Sequence, residues 1–551
     1  MNRLSRFVAS ATISAAMFAM SAPALANWRV AETDHFIYYS EAPEEELLKT
    51  VKEMETFDTL VRALTKNDKP ASPVKVVMFE VATMDDVNKT FPYPSQGVGG
   101  YYSSTTSGPF LVTFRNTLRR GRGSVRKTEQ RAYAWGPEVR QHEYLHHYMY
   151  QYFYTNYPSW YSEGFAEYYG TMAFPEEGVV EIGHAPFFRM DAIRGGSWVD
   201  AKDLLTAKSY ADIDDVSALY AQGWLLTHLA SQNPEIGNQL QNYLVKVAGG
   251  EDYLKAAEAS FGDLNQLNKK LKSHRRNIKA MRLSLKPIDF GEIPIRELTD
   301  MESELMRYKI RLYSGFEYSD LAYILRGFDD ITASDPNNVM GLEIRSQLEN
   351  LAGKHSDALR SSDELLAINP GNVEALTQKG IASAALLSPS SATSDWDKAR
   401  EPLNLAIESS SIAIAPRVAM FKTFLDQKIT PSIKAQNALV EAFSLMPQND
   451  EIRYLLAHDF EKRGLLDDAI AVIKPSAFGT FDGDEGEKRK RDKFRQEAAD
   501  RFTHITAYED AKVMLSRLEA KRDGSWDEAS QSIITKDASD DQTSISFLSG
   551  Q

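Results

Sequence analysis

His142 and His146 stand four residues apart in the run His142-Glu143-Tyr144-Leu145-His146. On a helix that spacing puts both imidazoles on one face, about 5–6 Å apart at Cβ, so the two can converge on one metal ion. Glu143 projects beside them, placed to act on a metal-bound water rather than to ligate. A second run, Trp160-Tyr161-Ser162-Glu163-Gly164-Phe165-Ala166-Glu167, carries two carboxylates at the same spacing among apolar neighbours. A helix has no structural need of that pair, whereas a zinc site needs a third ligand. Either Glu163 or Glu167 can supply it, leaving the other to accept a hydrogen bond from the far ring nitrogen of a zinc-bound histidine. The expected cofactor is Zn2+. Two histidines and one carboxylate leave a fourth position open, which separates a catalytic zinc from a closed structural one.

Together the HExxH of residues 142–146 and the W-x-x-E-G-x-A-E-Y of Trp160 to Tyr168 resemble the gluzincin zinc metallopeptidases. In that family the Glu before the Gly is the third ligand, so the resemblance implies Glu163 for that role and Glu167 for the hydrogen bond to a ligand imidazole. It implies Glu143 as the general base. Tyr220-Ala221-Gln222-Gly223 is similar to the Tyr-x-x-Gly element of the aminopeptidase branch, which implies Tyr220 as a donor to the developing oxyanion. The Gly-x-Met-Glu-Asn strand by which aminopeptidases of this clan hold a free amine does not precede the zinc helix. An endopeptidase with a peptide or protein substrate is therefore the implied activity. The implied fold is α+β, a thermolysin/aminopeptidase-like domain with a small mixed sheet and a helical lobe. No residue is assigned to substrate binding, although the strand Gly108 to Phe114 is a candidate to pair with an extended substrate, its alternative being an ordinary core strand. Two rival readings are a scaffold with an inactive metallopeptidase fold that mediates protein–protein interactions, and a zinc hydrolase acting on non-peptide amides.

Several elements must position these groups. Trp28 to Ser40 alternates as a strand, Glu44 to Leu64 has helical spacing, and Pro73 to Phe79 and Phe110 to Phe114 read as strands. Pro137 opens the zinc helix, which runs to about Tyr154, and Pro158 opens the helix carrying Glu163 and Glu167. Further helices are expected at Val216 to Ser231, Glu235 to Val247 and Tyr253 to Ser260. Tyr144, Tyr148, Tyr152, Trp160, Phe165 and Tyr169 are read as helix-packing surface. His147 points about 100° away from His146 and is not taken as a ligand.

After residue 300 the pattern changes. Asp335-Pro336-Asn337 recurs as Asn369-Pro370-Gly371 at a period of 34 residues, with Pro416 and Pro447 further on. That period belongs to tetratricopeptide repeats, helix pairs that stack into a solenoid and bind protein partners. Gly353 and Ala358, then Ala457, Phe460, Gly464 and Ala469, fall where turns and tight crossings need particular residues. Ser388 to Ser391 reads as an inserted loop. The expected division is a leader over residues 1–26, a catalytic domain at 27–285, a linker at 286–299, TPR-like repeats at 300–475, and a C-terminal helix and disordered tail at 476–551.

The leader is read from Arg3 and Arg6, an apolar run from Phe7 to Ala22, and the small-x-small site Ala24-Leu25-Ala26, which together predict export to the periplasm or beyond. No later run reaches the roughly 18 apolar residues of a membrane span. The absence of cysteine removes disulfides, thiolate ligands and a cysteine nucleophile. A net charge of −14 argues against non-specific nucleic-acid binding, which needs basic surface. The basic stretches Arg119 to Lys127 and Lys488 to Arg491 are read as solvated surface. With 551 residues, 43% hydrophobic, two or more cores are expected.

Overall fold

The computed structural model describes residues 27–90, 98–115, 135–315, 321–478 and 511–527, apart from positions 154, 156, 187–188, 195, 209–211 and 287, and two further strands at 532–535 and 543–546. The expected leader and the two basic stretches lie outside these residues.

Strands β1 (Arg29–Glu32), β2 (Phe36–Ser40), β3 (Val76–Val81), β4 (Tyr101–Thr105) and β5 (Gly108–Phe114) form a mixed sheet with a late strand, β9 (Ile295–Glu297), in the order β4-β5-β3-β2-β1-β9. β2, β3 and β5 are parallel, while β1, β4 and β9 pair antiparallel with their neighbours. The single strand read over Trp28 to Ser40 is instead a hairpin, turned where Thr33 N–H donates to Phe36 O. Helix α1 (Glu44–Leu64) buries Leu47, Val51, Met54, Phe57 and Leu60 as its spacing predicts, and α2 (Met84–Thr90) follows β3. β9 falls inside the expected linker, so that segment builds an edge of the sheet.

One expectation for the sheet is corrected. β5 lies between β3 and β4 with every residue buried, so its backbone is already paired on both sides and cannot take up an extended substrate. The edge is β4, and its polar composition gave no strand signal in the sequence.

A helical lobe follows: α3 (Trp135–Tyr152), α4 (Ser159–Gly170), α5 (Met190–Arg194), α6 (Ala201–Thr206), α7 (Val216–Gln232), α8 (Pro234–Ala248), α9 (Tyr253–Phe261) and α10 (Leu264–His274). A small antiparallel sheet of β6 (Ala173–Glu176), β7 (Val179–Ile182) and β8 (Met281–Ser284) lies within it. Pro158 stands at the N-cap of α4, and Asp215 caps α7 by accepting from Ala218 N–H. Tyr144, Leu145 and Tyr148 of α3 join Phe36, Tyr38, Met78 and Leu111 in one core, which continues through Trp160, Trp224 and Tyr243.

From residue 300 the chain is a TPR-like helical solenoid: α11 (Asp300–Ser314), α12 (Leu321–Thr332), α13 (Val339–Leu351), α14 (His355–Ile368), α15 (Val373–Ala385), α16 (Thr393–Ser409), α17 (Ala415–Asp426), α18 (Ile433–Leu445), α19 (Asp450–Lys462) and α20 (Leu466–Phe478). Its repeat is written in its caps. Asn338 and Asn372, separated by the 34-residue period, accept from the backbone N–H groups of Gly341 and Ala375, and Asn449 does the same for Ile452. Gly353 and Gly464 take φ of +72° and +76° in the turns inside two pairs. At Gly380 a Cβ would come within 2.5 Å of Leu403, so glycine permits the close approach of α15 to α16. α21 (Ala511–Arg522) packs on α20. The tail after Gly524 carries β10 (Trp526–Asp527), β11 (Ser532–Thr535) and β12 (Thr543–Ser546), an antiparallel sheet where disorder was expected.

Solenoid and sheet share a core. Side chains alternate across a strand, so Val76 and Met78 face α1 and α3 while Val77 and Phe79 face the other way. There they meet Leu305, Met306, Tyr308 and Phe328 of the first repeat helices, and the Phe79 and Phe110 rings each lie 5.3 Å from Tyr313. Among the described residues no helix is long and apolar enough to cross a membrane.

Candidate metal centre

The geometry around His142 is set by two helix contacts. α3 presents His142 and His146 one turn apart, and α4 packs across it with Glu163 pointing back. α4 is in turn held against α7 at a crossing that only glycine permits. A Cβ on Gly164 would lie 2.3 Å from the Gly223 carbonyl carbon, and one on Gly223 would lie 2.2 Å from Trp160 O. The glycines of the E-G-x-A-E and Tyr-x-x-Gly runs are therefore the two halves of a single backbone contact. One turn before Gly223, that contact brings Tyr220 to the site, where its ring lies nearly parallel to that of His142 with centroids 6.4 Å apart.

His142 Nε2 is 3.2 Å from His146 Nε2, and Glu163 Oε2 is 3.1 Å and 3.6 Å from the same two nitrogens. Donors held about 2.0–2.1 Å from a tetrahedral zinc stand about 3.3 Å from one another, so this trio has the separation of three ligands around a single ion. Among the described residues it is the group of histidine and carboxylate donors close enough together to hold a metal. Burial works against a charged His142, but the hydrogen bond and charge of Glu163 outweigh it and raise the pKa to about 9. Burial likewise opposes ionisation of Glu163, yet the two imidazoles hold its carboxyl well below the usual carboxylate range. The site is built to keep a carboxylate anionic in a desolvated position, as a cation ligand must be.

Glu143 sits beside the trio rather than in it. It is partly buried between α3 and the start of β4, where Gly100 leaves room for its Cγ and the Tyr102 backbone N–H bonds its carboxylate; burial raises its pKa. Glu167 does not serve a ligand histidine as expected. Its carboxylate accepts from Arg189 Nε at 2.8 Å, and the Arg189 guanidinium lies 4.2 Å over the Tyr220 ring. The physical reason is that a guanidinium comes within reach and is the stronger partner for a carboxylate.

Ser162 has the outer contact to a ligand instead. Its Oγ lies 3.5 Å from His146 Nδ1 and 3.3 Å from the Tyr150 hydroxyl, and Tyr150 stacks on His146. Arg189, Ser162 and Tyr150 were not read from sequence. Only Ser162 had a signal there, as the polar neighbour of Glu163. His147 is buried under β4, with Tyr102 Oη 3.4 Å from its Nδ1 and a pKa that burial lowers to about 3, and it takes no part in the cluster. His228 and His274 contact each other at 2.7 Å and, with the His228 ring packed on Tyr168, take no part in the cluster.

The site also touches the solenoid. Gln151 Nε2 of α3 donates to Leu445 O, and Asn449 Nδ2 donates to Ser104 O of the edge strand β4. The α18–α19 turn is thus held against the end of α3 and the edge strand β4. Three donors in this arrangement can hold a divalent cation and leave a coordination position for water or for a side chain brought by another molecule.

No family model matches the chain, and no curated protein matches it. Solved structures to which it is similar are a thermophilic TPR protein of Thermus thermophilus (18% identity, TM-score 0.25, covering 34% of this chain and 90% of that one) and a tetratricopeptide repeat protein of Parabacteroides merdae (15%, 0.27, 52% and 100%). Yeast Tom70 is a third (14%, 0.22, 73% and 79%). These are repeat proteins, and the expected membership of the gluzincin metallopeptidases is corrected on that finding, together with the zinc endopeptidase activity drawn from it.

Proposed function

We propose that this chain is an interaction scaffold of the cell envelope, in which a helical solenoid binds a protein partner and His142, His146 and Glu163 hold a zinc ion in the lobe beside it. The observation that carries the reading is the convergence of three donor atoms, at ligand–ligand separations that suit one tetrahedral ion, on helices whose α3 end is hydrogen-bonded to a turn of the solenoid. When bound, the cation would tie α3 to α4 and, through the Gly164–Gly223 crossing, to α7. Its remaining position would accept a donor from the partner. The stacked helix pairs support the partner-binding half of the reading, since solenoids offer long surfaces for recognition.

Elemental analysis of protein purified without chelator should give one zinc per chain, lost in His146→Ala. A photo-crosslinking residue placed along α14, α16 or α18 in living cells should capture a discrete partner. Protein without metal, or metal content that His146→Ala leaves unchanged, would sink the zinc site. Failure to crosslink from every solenoid position would sink the scaffold.

A further inference from the structure

The tip of the β4–β5 hairpin enters the row formed by α11, α13, α15 and the start of α17, and the two enclose a cavity of about 180 Å3. Its lining combines the hydroxyl-bearing residues Thr106 and Ser107 with three charges, Lys309, Glu343 and Glu374, above an apolar floor that includes Ile344 and Pro416. Each carboxylate has a neutral amide as partner: Glu343 accepts from Asn372 Nδ2 and Glu374 from Gln378 Nε2, both at 2.9 Å. Lys309 lies 5.6 Å over the Tyr39 ring and, among the described residues, closes no ion pair. Three ionisable groups therefore face one small space without an ion pair in contact among them. Burial also raises the Glu374 carboxyl to about 7, which places it where a bound cation would shift its ionisation.

Charges removed from water need partners, and the chemistry of this lining restricts what the partner can be. A lone cation would meet Lys309, and a lone anion would meet two carboxylates. The volume lies below the roughly 300–1,000 Å3 of sites for drug-sized ligands, so the occupant is a small molecule rather than a long peptide. We propose that the cavity binds a free α-amino acid, its carboxylate on Lys309 and the Thr106 and Ser107 hydroxyls, its ammonium between Glu343 and Glu374, and its side chain on the apolar floor. The ligand would bridge the hairpin to the solenoid and is independent of the metal centre.

The test is calorimetric titration of the full-length protein, near neutral pH, with each of the common L-amino acids, and with the amine and the carboxylic acid that each resembles. One or a few amino acids should bind at one per chain, and the amine and the acid should not. Lys309→Met and Glu374→Gln should each weaken binding at least about tenfold, the cost of one charged hydrogen bond, at unchanged zinc content. Should either fail to fold, Ser107→Ala on the exposed hairpin tip gives the same reading in milder form. No binding by any amino acid at millimolar concentration overturns the proposal, and so does binding that all folded variants leave unchanged.

Discussion

Glu163 is held as an anion although it is buried, and that makes it the residue through which the centre can be dismantled without disturbing the helices around it. Glu163→Gln keeps the shape and removes the charge. Its zinc affinity should fall by more than the roughly 10–100-fold typical of losing an outer contact to a ligand. Ser162→Ala should stay inside that range, and Glu143→Gln should keep one zinc per chain because Glu143 is not among the donors; competition with a chromophoric chelator measures all three. A second cluster gives a pH signature. His35 Nδ1 lies 2.6 Å from buried Glu55, and Asp58 lies beyond it, bonded by the Tyr144 hydroxyl. The hydrogen bond to Glu55 raises the His35 pKa above 6.5, against the opposing effect of burial. A raised folded pKa gives stability that is complete below the unfolded value and is lost as pH rises through the folded one. Denaturant unfolding of wild type and His35→Gln should therefore differ more at acidic than at alkaline pH, and a constant difference would show that the ion pair does not contribute.

Between elements, the decisive contact is the crossing of α4 and α7. Neither Gly164 nor Gly223 has a positive φ; each is required because backbone meets backbone. Gly164→Ala or Gly223→Ala must part the helices, at a cost of about 1–3 kcal/mol for overpacking of this kind. The displacement also carries Glu163 and Tyr220 off the site, so both variants should lower the melting temperature and loosen zinc together. Normal zinc affinity in a destabilised Gly223→Ala variant would show that α7 is not needed to aim Glu163.

Across the molecule, the sheet is covered on one face by α1 and α3 and on the other by α11 to α13, so the helices of the first repeats belong to its core. A fragment ending near residue 290 would lose β9 as well and leave Val77, Phe79, Phe110 and Phe114 in water. At about 1.5–3 kcal/mol for each large side chain, the exposure is comparable with the whole stability of a domain. The fragment should be insoluble or fail to unfold cooperatively, whereas the full chain should show the lobe and the first repeats melting in one transition. A soluble fragment that binds zinc would mean that the lobe stands alone despite the shared core.

What the sequence by itself determined was local. Helical spacing placed α1, α3, α4 and α7 to α9 within a few residues, the 34-residue period marked the solenoid, and four-residue spacing put His142 with His146 and Glu163 with Glu167. These are properties of a few turns of backbone, and short-range geometry suffices to produce them. Only the tertiary structure decided what each side chain meets. It gave Glu167 to Arg189, a residue 22 positions away with no motif of its own; it buried β5 and set β4 at the edge; and it drew part of the expected linker into the sheet. Those outcomes rest on contacts between segments far apart in the chain, and the partner that wins depends on packing that no single segment encodes.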